Sequence, residues 1–214
     1  MSYGINFGRA VSPVKNRLGE MSNHYLSFTD LNDEGVCPYC GIADIESIHI
    51  SKREAYDHFL PKGVYPFNSI NFANLAPMCH KCNSTYKHSK DPLLDNDGTP
   101  RPAFYSYAEV DSDIEINVEL KSINIDSLLP DEIELKIYST SYPEKTQTWL
   151  TLFGLEGRYK EKLSAKNSGK AWCSMMMDEF KNFADTPTPA TLLELQRRRL
   201  KAYPFASPRG FVDI

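Results

Sequence analysis

Four of the chain's five cysteines stand in two pairs, Cys37-Pro-Tyr-Cys40 and Cys79-His-Lys-Cys82, with 38 residues between them. One Cys-x-x-Cys knuckle gives a metal ion two thiolates, so a doubled knuckle supplies a complete tetrahedral set. Four thiolates suit Zn²⁺ and leave no open coordination position, which makes the predicted metal structural: it replaces part of a core and binds no substrate. Inside the loop that such a metal would close lie Asp57-His58, then Asn74, then Asn83 directly after the fourth cysteine. An imidazole titrates near neutrality, so His58 suits general-base work on a water molecule. Asp57 and Asn83 carry hard oxygens of the kind that hold Mg²⁺ or Mn²⁺. Neighbours on a strand face opposite ways, so Asp57 and His58 can line one site only if the backbone bends between them, and that bend is expected. Lys87 follows Asn83 by four; on a helix starting near Cys82 both project from one face, where Lys87 is expected to meet a phosphate beside the helix N-terminus.

The elements that must position these groups change character along the chain. Residues 1–30 carry scattered Gly, Pro and basic residues and read as an N-terminal arm packed on, or trailing from, the first domain. Residues 31–98 hold the stretch dense in Cys, His, Asn and Pro, as expected where a metal substitutes for apolar core. The segment DPLLDNDGTPRP, residues 91–102, reads as a connection and puts a boundary near residue 98. In the remaining domain, 99–214, IEINVEL (114–120) and EIELKIYS (132–139) alternate apolar and polar positions and predict a hairpin with one buried face. The period then lengthens: Leu155, Tyr159 and Leu163, and Trp172, Met176, Phe180 and Phe183, predict helix faces directed at a core. Gly169 separates or weakens two helical pieces, and Pro187 and Pro189 precede a last helix over about 190–202. The fold class is α+β, with the C-terminal part mostly helical.

A net charge of −4 argues against a protein that holds nucleic acid by bulk electrostatics. The charge is segregated, however: residues 51–90 carry six basic residues against two acids, while 91–135 carry twelve acids against Arg101 and Lys121. One part of the surface is therefore predicted to attract phosphate and another to repel it. No run of eighteen apolar residues exists and the first residues lack the apolar centre of a secretory signal, so a cytoplasmic protein with no membrane partner is expected. Paired cysteines in a reducing compartment favour metal over disulfides, and the fifth, Cys173, reads as a core thiol. His80 offers an alternative zinc ligand, but the four-cysteine set is simpler. His24, His49 and His88 receive no catalytic role, Ser84 and Thr85 have no base pattern near them, and no Walker-type loop is present. Arg197, Arg198 and Arg199 read as a solvated basic face.

The segment from Cys37 to Lys90, about a quarter of the chain, resembles the HNH or ββα-metal nuclease family in its HNN variant with a four-cysteine zinc site. It departs from the name-giving pattern at the last position, where Asn83 replaces His and still offers an oxygen ligand. The resemblance implies Asp57-His58 on a first strand, Asn74 in the connecting loop and Asn83 early on a helix. It implies a metal-dependent endonuclease acting on DNA. His58 would be the general base, Asp57 and Asn83 would hold Mg²⁺ or Mn²⁺, and Asn74 would pin the loop and orient His58 through the backbone. Phosphodiester hydrolysis needs those parts: an activated water, neutralised phosphate charge and a stabilised leaving oxygen. More loosely, the DPL turn, the AFYSY stretch (103–107) and WLTLFGLEGRY (149–159) resemble the nuclease subunits of Septu-type and retron-associated antiphage systems, which implies a companion ATPase. The alternative from another class is a non-catalytic zinc module that binds nucleic acid or a protein partner.

Overall fold

The structure, a computed structural model, describes residues 21–32, 35–47, 49–50, 52–108, 113–122 and 124–183. Their order is helix α1 (Met21–Leu31), strands β1 (Tyr56–His58) and β2 (Leu75–Pro77), a π-helix (Lys81–Lys87), strands β3 (Glu115–Leu120) and β4 (Ile133–Tyr138), then helices α2 (Pro143–Phe153), α3 (Leu155–Ser164) and α4 (Gly169–Phe183). Helix and sheet are mixed, as the α+β expectation has it. The arm expected over 1–30 ends in α1, whose Tyr25 and Phe28 are buried; residues 1–20 lie outside the described residues. So do Pro187, Pro189, the last helix expected at 190–202 and Arg197 to Arg199, as well as the side chains of Met176, Phe180 and Phe183. Among the described residues no helix is long and apolar enough to cross a membrane.

β1 and β2 pair antiparallel one residue to one, with Asp57 opposite Ala76 and His58 opposite Leu75. This regular register corrects the expected bend: no extra residue is inserted, so alternation sends Asp57 inward and His58 outward. Asp57 is 3% exposed, whereas His58 is half-buried. The strand, strand and helix that follow one another from Tyr56 to Lys87 are short, and their order is held by what packs on them.

The segments on either side of residue 98 share one buried cluster, in which Cys37, Tyr39, Met78 and Cys82 meet Phe104, Trp149, Leu152 and Phe153. Packing is thus continuous across the expected boundary. The connection turns at Asp95–Gly98, with Gly98 in a positive-φ conformation, and returns at once. The AFYSY stretch clips onto the hairpin: the Tyr105 hydroxyl donates to the Ala73 carbonyl at 2.5 Å, and that of Tyr107 donates to the Leu75 carbonyl. Ser106 pairs with the Tyr39 hydroxyl at 2.5 Å.

β3 and β4 form the expected hairpin, with Val118 opposite Leu135. Only β4 has a buried face, carried by Ile133 and Leu135; every residue of β3 is exposed. The reason is that α2 and α3 pack on β4 and leave β3 as an outer edge. Pro143 starts α2 at a position where its missing N–H costs nothing. Gly154 ends α2 at φ 59°, and an added Cβ there would stand 2.3 Å from the Tyr86 ring, so glycine serves both the turn into α3 and the close approach of the π-helix. Leu155 is fully buried and Tyr159 and Leu163 half-buried, which is the α3 face read from their spacing. Cys173 is half-buried.

Candidate active site

The two knuckles converge. The sulfurs of Cys37, Cys40, Cys79 and Cys82 all lie within 4.8 Å of one another, all four residues are buried, and none is in a disulfide. A Zn–S bond of about 2.3 Å requires tetrahedral S···S edges of about 3.8 Å, so the cluster fits a zinc ion with small adjustment. The local backbone is built for thiolates. The Cys79 amide points at Cys37 Sγ at 3.5 Å and the Cys82 amide at Cys79 Sγ at 3.4 Å. Gly41, at φ 60°, folds the first knuckle so that its own amide reaches the Cys37 carbonyl at 2.8 Å. His80 is exposed and is not part of the cluster. Helices α2 and α3 close the other side: Trp149 Nε1 donates to the Tyr39 carbonyl at 2.8 Å and the Tyr159 hydroxyl to the Cys40 carbonyl at 2.9 Å.

On the inner face of β1, Asp57 Oδ1 receives Lys87 Nζ at 3.1 Å, and the same ammonium donates to the His58 carbonyl at 2.6 Å. Asn83 donates from Nδ2 to the Ala55 carbonyl at 2.8 Å. The four-residue spacing therefore does place Asn83 and Lys87 on one face of the π-helix, but that face docks on β1. Lys87 is 2% exposed, which corrects its expected place against a phosphate. Asp57 lines a cavity of about 20 Å³ among Tyr39, Phe59, Met78 and Trp149. Burial pushes its carboxyl above the usual range, against the opposing pull of the Lys87 charge. Asp57 and Asn83 consequently do not present an open oxygen pair, and the site expected for Mg²⁺ or Mn²⁺ does not fit these residues as they stand: the cation facing Asp57 is Lys87.

The outer face is different. His58 Nε2 lies 3.2 Å from the Ser69 carbonyl, which can only accept, so the proton sits on Nε2 and the lone pair on Nδ1. Burial draws its pKa below the ordinary value of 6.5, the Ser69 contact opposes this, and the nearby charge of Lys62 adds to the lowering. Asn74 is buried and holds the loop that carries Ser69. Its Oδ1 accepts from the Leu60 amide at 2.7 Å, and its Nδ2 donates to the carbonyls of Leu60 and Asn68, each at 3.1 Å. The Asn68 carbonyl immediately precedes Ser69, so one side chain ties both ends of the loop beneath the imidazole. Sequence reasoning missed Ser69 and Lys62. Both sit in the loop between β1 and β2, where neither residue type nor spacing announces contact with a histidine.

An 84-residue stretch of the chain is 34% identical to the Septu protein PtuB of Bacillus thuringiensis, covering 38% of this chain and 27% of that protein. The chain thus matches little more than a quarter of the relative's length. No known family profile matches the chain, and no solved structure does.

Proposed function

We propose that the chain is an endonuclease subunit of a Septu-type antiphage defence system, hydrolysing phosphodiester bonds of DNA with His58 as general base. The observation that supports it is the imidazole of His58: neutral, oriented by a backbone carbonyl, outward-facing, and set within a loop braced by Asn74 and a four-cysteine scaffold suited to zinc. Water attacking phosphorus gives its proton to Nδ1 as the P–O bond to the departing 3′ oxygen breaks, while Nε2–H holds the ring against Ser69 as positive charge develops. Lys62, exposed in the same loop, supplies positive charge beside that proton transfer. The strand, strand and helix order from Tyr56 to Lys87 also supports this reading. Asn74 is the positioning residue, acting through Asn68 and Ser69. The similarity to a Septu protein supports the defence role; the companion ATPase that delivers or restrains the nuclease is part of the proposal, and it suits an acidic chain with weak bulk attraction for DNA.

The burial of Asp57 against Lys87 favours a second reading, in which the module binds zinc and a partner without cleaving. One experiment separates the two. Plasmid DNA is incubated with Mg²⁺ or Mn²⁺ and the wild-type protein or His58→Ala, alone and with the proteins encoded beside it. Cleavage by the wild type that His58→Ala loses supports the nuclease. Equal cleavage by both refutes the assigned base, and no cleavage under any condition leaves the binding module as the better account.

A further inference from the structure

Among the described residues two cations are buried, and they are partnered in opposite ways. Lys87 has the carboxylate of Asp57. Arg158, on α3, is 5% exposed, and no ion pair among the described residues gives it a carboxylate. Its Nη1 instead reaches Cys82 Sγ at 3.3 Å and the Phe153 carbonyl, at the end of α2, at 3.1 Å, while the guanidinium stacks 4.8 Å from the centre of the Tyr86 ring. A buried guanidinium without an anion is costly. Among the described residues the candidates for that anion are the thiolates, and a zinc ion bound to four of them carries a net charge of −2. We infer that Arg158 is the counter-charge of the four-cysteine metal centre, and that it makes docking of α2 and α3 on the knuckles depend on the metal.

The chemistry follows from the contacts. A hydrogen bond from a cation to a ligand sulfur stabilises its lone pairs and so slows loss of the metal. The same nitrogen caps the last carbonyl of α2, so metal, sulfur and helix end share one donor. Without the metal the guanidinium loses the charged centre it faces, and the helices lose part of what holds them.

This inference rests on the zinc reading, and the test keeps the two apart. Metal content of the purified full chain is measured with a chromogenic chelator, and zinc release to a competing chelator is timed for the wild type, Arg158→Gln and Arg158→Lys. Arg158→Gln is expected to release zinc about 10–100-fold faster, the range for removing a hydrogen-bonding partner of a ligand. Arg158→Lys falls between, since the ammonium keeps the charge but loses the planar stack on the Tyr86 ring. In Co²⁺-loaded protein the sulfur-to-metal charge-transfer band of Arg158→Gln should move to longer wavelength, a shift that lost packing alone does not cause. Unchanged release and an unmoved band overturn the inference, as does an equal fall in melting temperature with and without metal. If Arg158→Gln does not fold, Arg158→Lys decides by the same readings. A wild type that holds no metal overturns the zinc reading and this inference with it.

Discussion

The two constellations read from the sequence meet different fates in the fold. Four cysteines spread from Cys37 to Cys82 come together within 4.8 Å, while Asp57 and His58, adjacent in the chain, part to opposite faces of β1. The contrast is instructive because it inverts sequence distance. A knuckle carries its own geometry, since two thiols at i and i+3 on one tight turn face one point. A pair of neighbours on a strand carries the opposite geometry, since the pleat separates them unless a bulge intervenes. The inner face of β1 is consequently an ion-paired structural seam, and the outer face is where an imidazole can act.

The strongest way to break this contrast is at the sulfurs. Cys79→Ser, or metal removal by chelator, should cost several kcal/mol, because metal-binding free energy here is folding free energy; a thermal melt unchanged by chelator would contradict it. Next is the seam. Lys87→Met strands a buried carboxylate and should lower stability by about 3–5 kcal/mol, while Asp57→Leu with Lys87→Met should recover most of that loss; denaturant titration of both checks it. If Lys87→Met were neutral, the seam would not be structural. Asn74→Ala removes three hydrogen bonds under the loop and should cost about 3 kcal/mol, together with the fixed orientation of His58. The smallest effect lies in proton binding. Because the folded pKa of His58 is below 6.5, its neutral form is favoured in the fold. Stability from this preference is present above pH 6.5 and falls as pH drops through the lowered value; an NMR titration midpoint at or above 6.5 would contradict it.

How much of this was legible follows from the same physics. The cysteine cluster, the β3–β4 hairpin and the α3 face were readable because each rests on spacing with one geometric solution. The docking of Lys87 was not: i and i+4 fix a shared face but not whether that face meets solvent or a strand. The exposed face of β3 was missed because alternation marks a stripe without showing that α2 and α3 cover only β4. The packing across residue 98 was hidden because Asp, Pro and Gly mark a turn equally well when the chain returns to the same core as when it leaves it. Ser69 lends His58 only its backbone carbonyl, which every residue type carries.

The division between the faces of β1 is tested most directly by measuring cleavage rate and melting temperature side by side for His58→Ala and Lys87→Met, under whichever conditions let the wild type cleave DNA. The expected result is a crossed pattern: His58→Ala loses at least about a hundredfold in rate at an unchanged melting temperature, the loss typical of a missing general base, while Lys87→Met loses melting temperature first. His58→Ala that cleaves as the wild type does, or that unfolds while Lys87→Met stays stable and inactive, would contradict it.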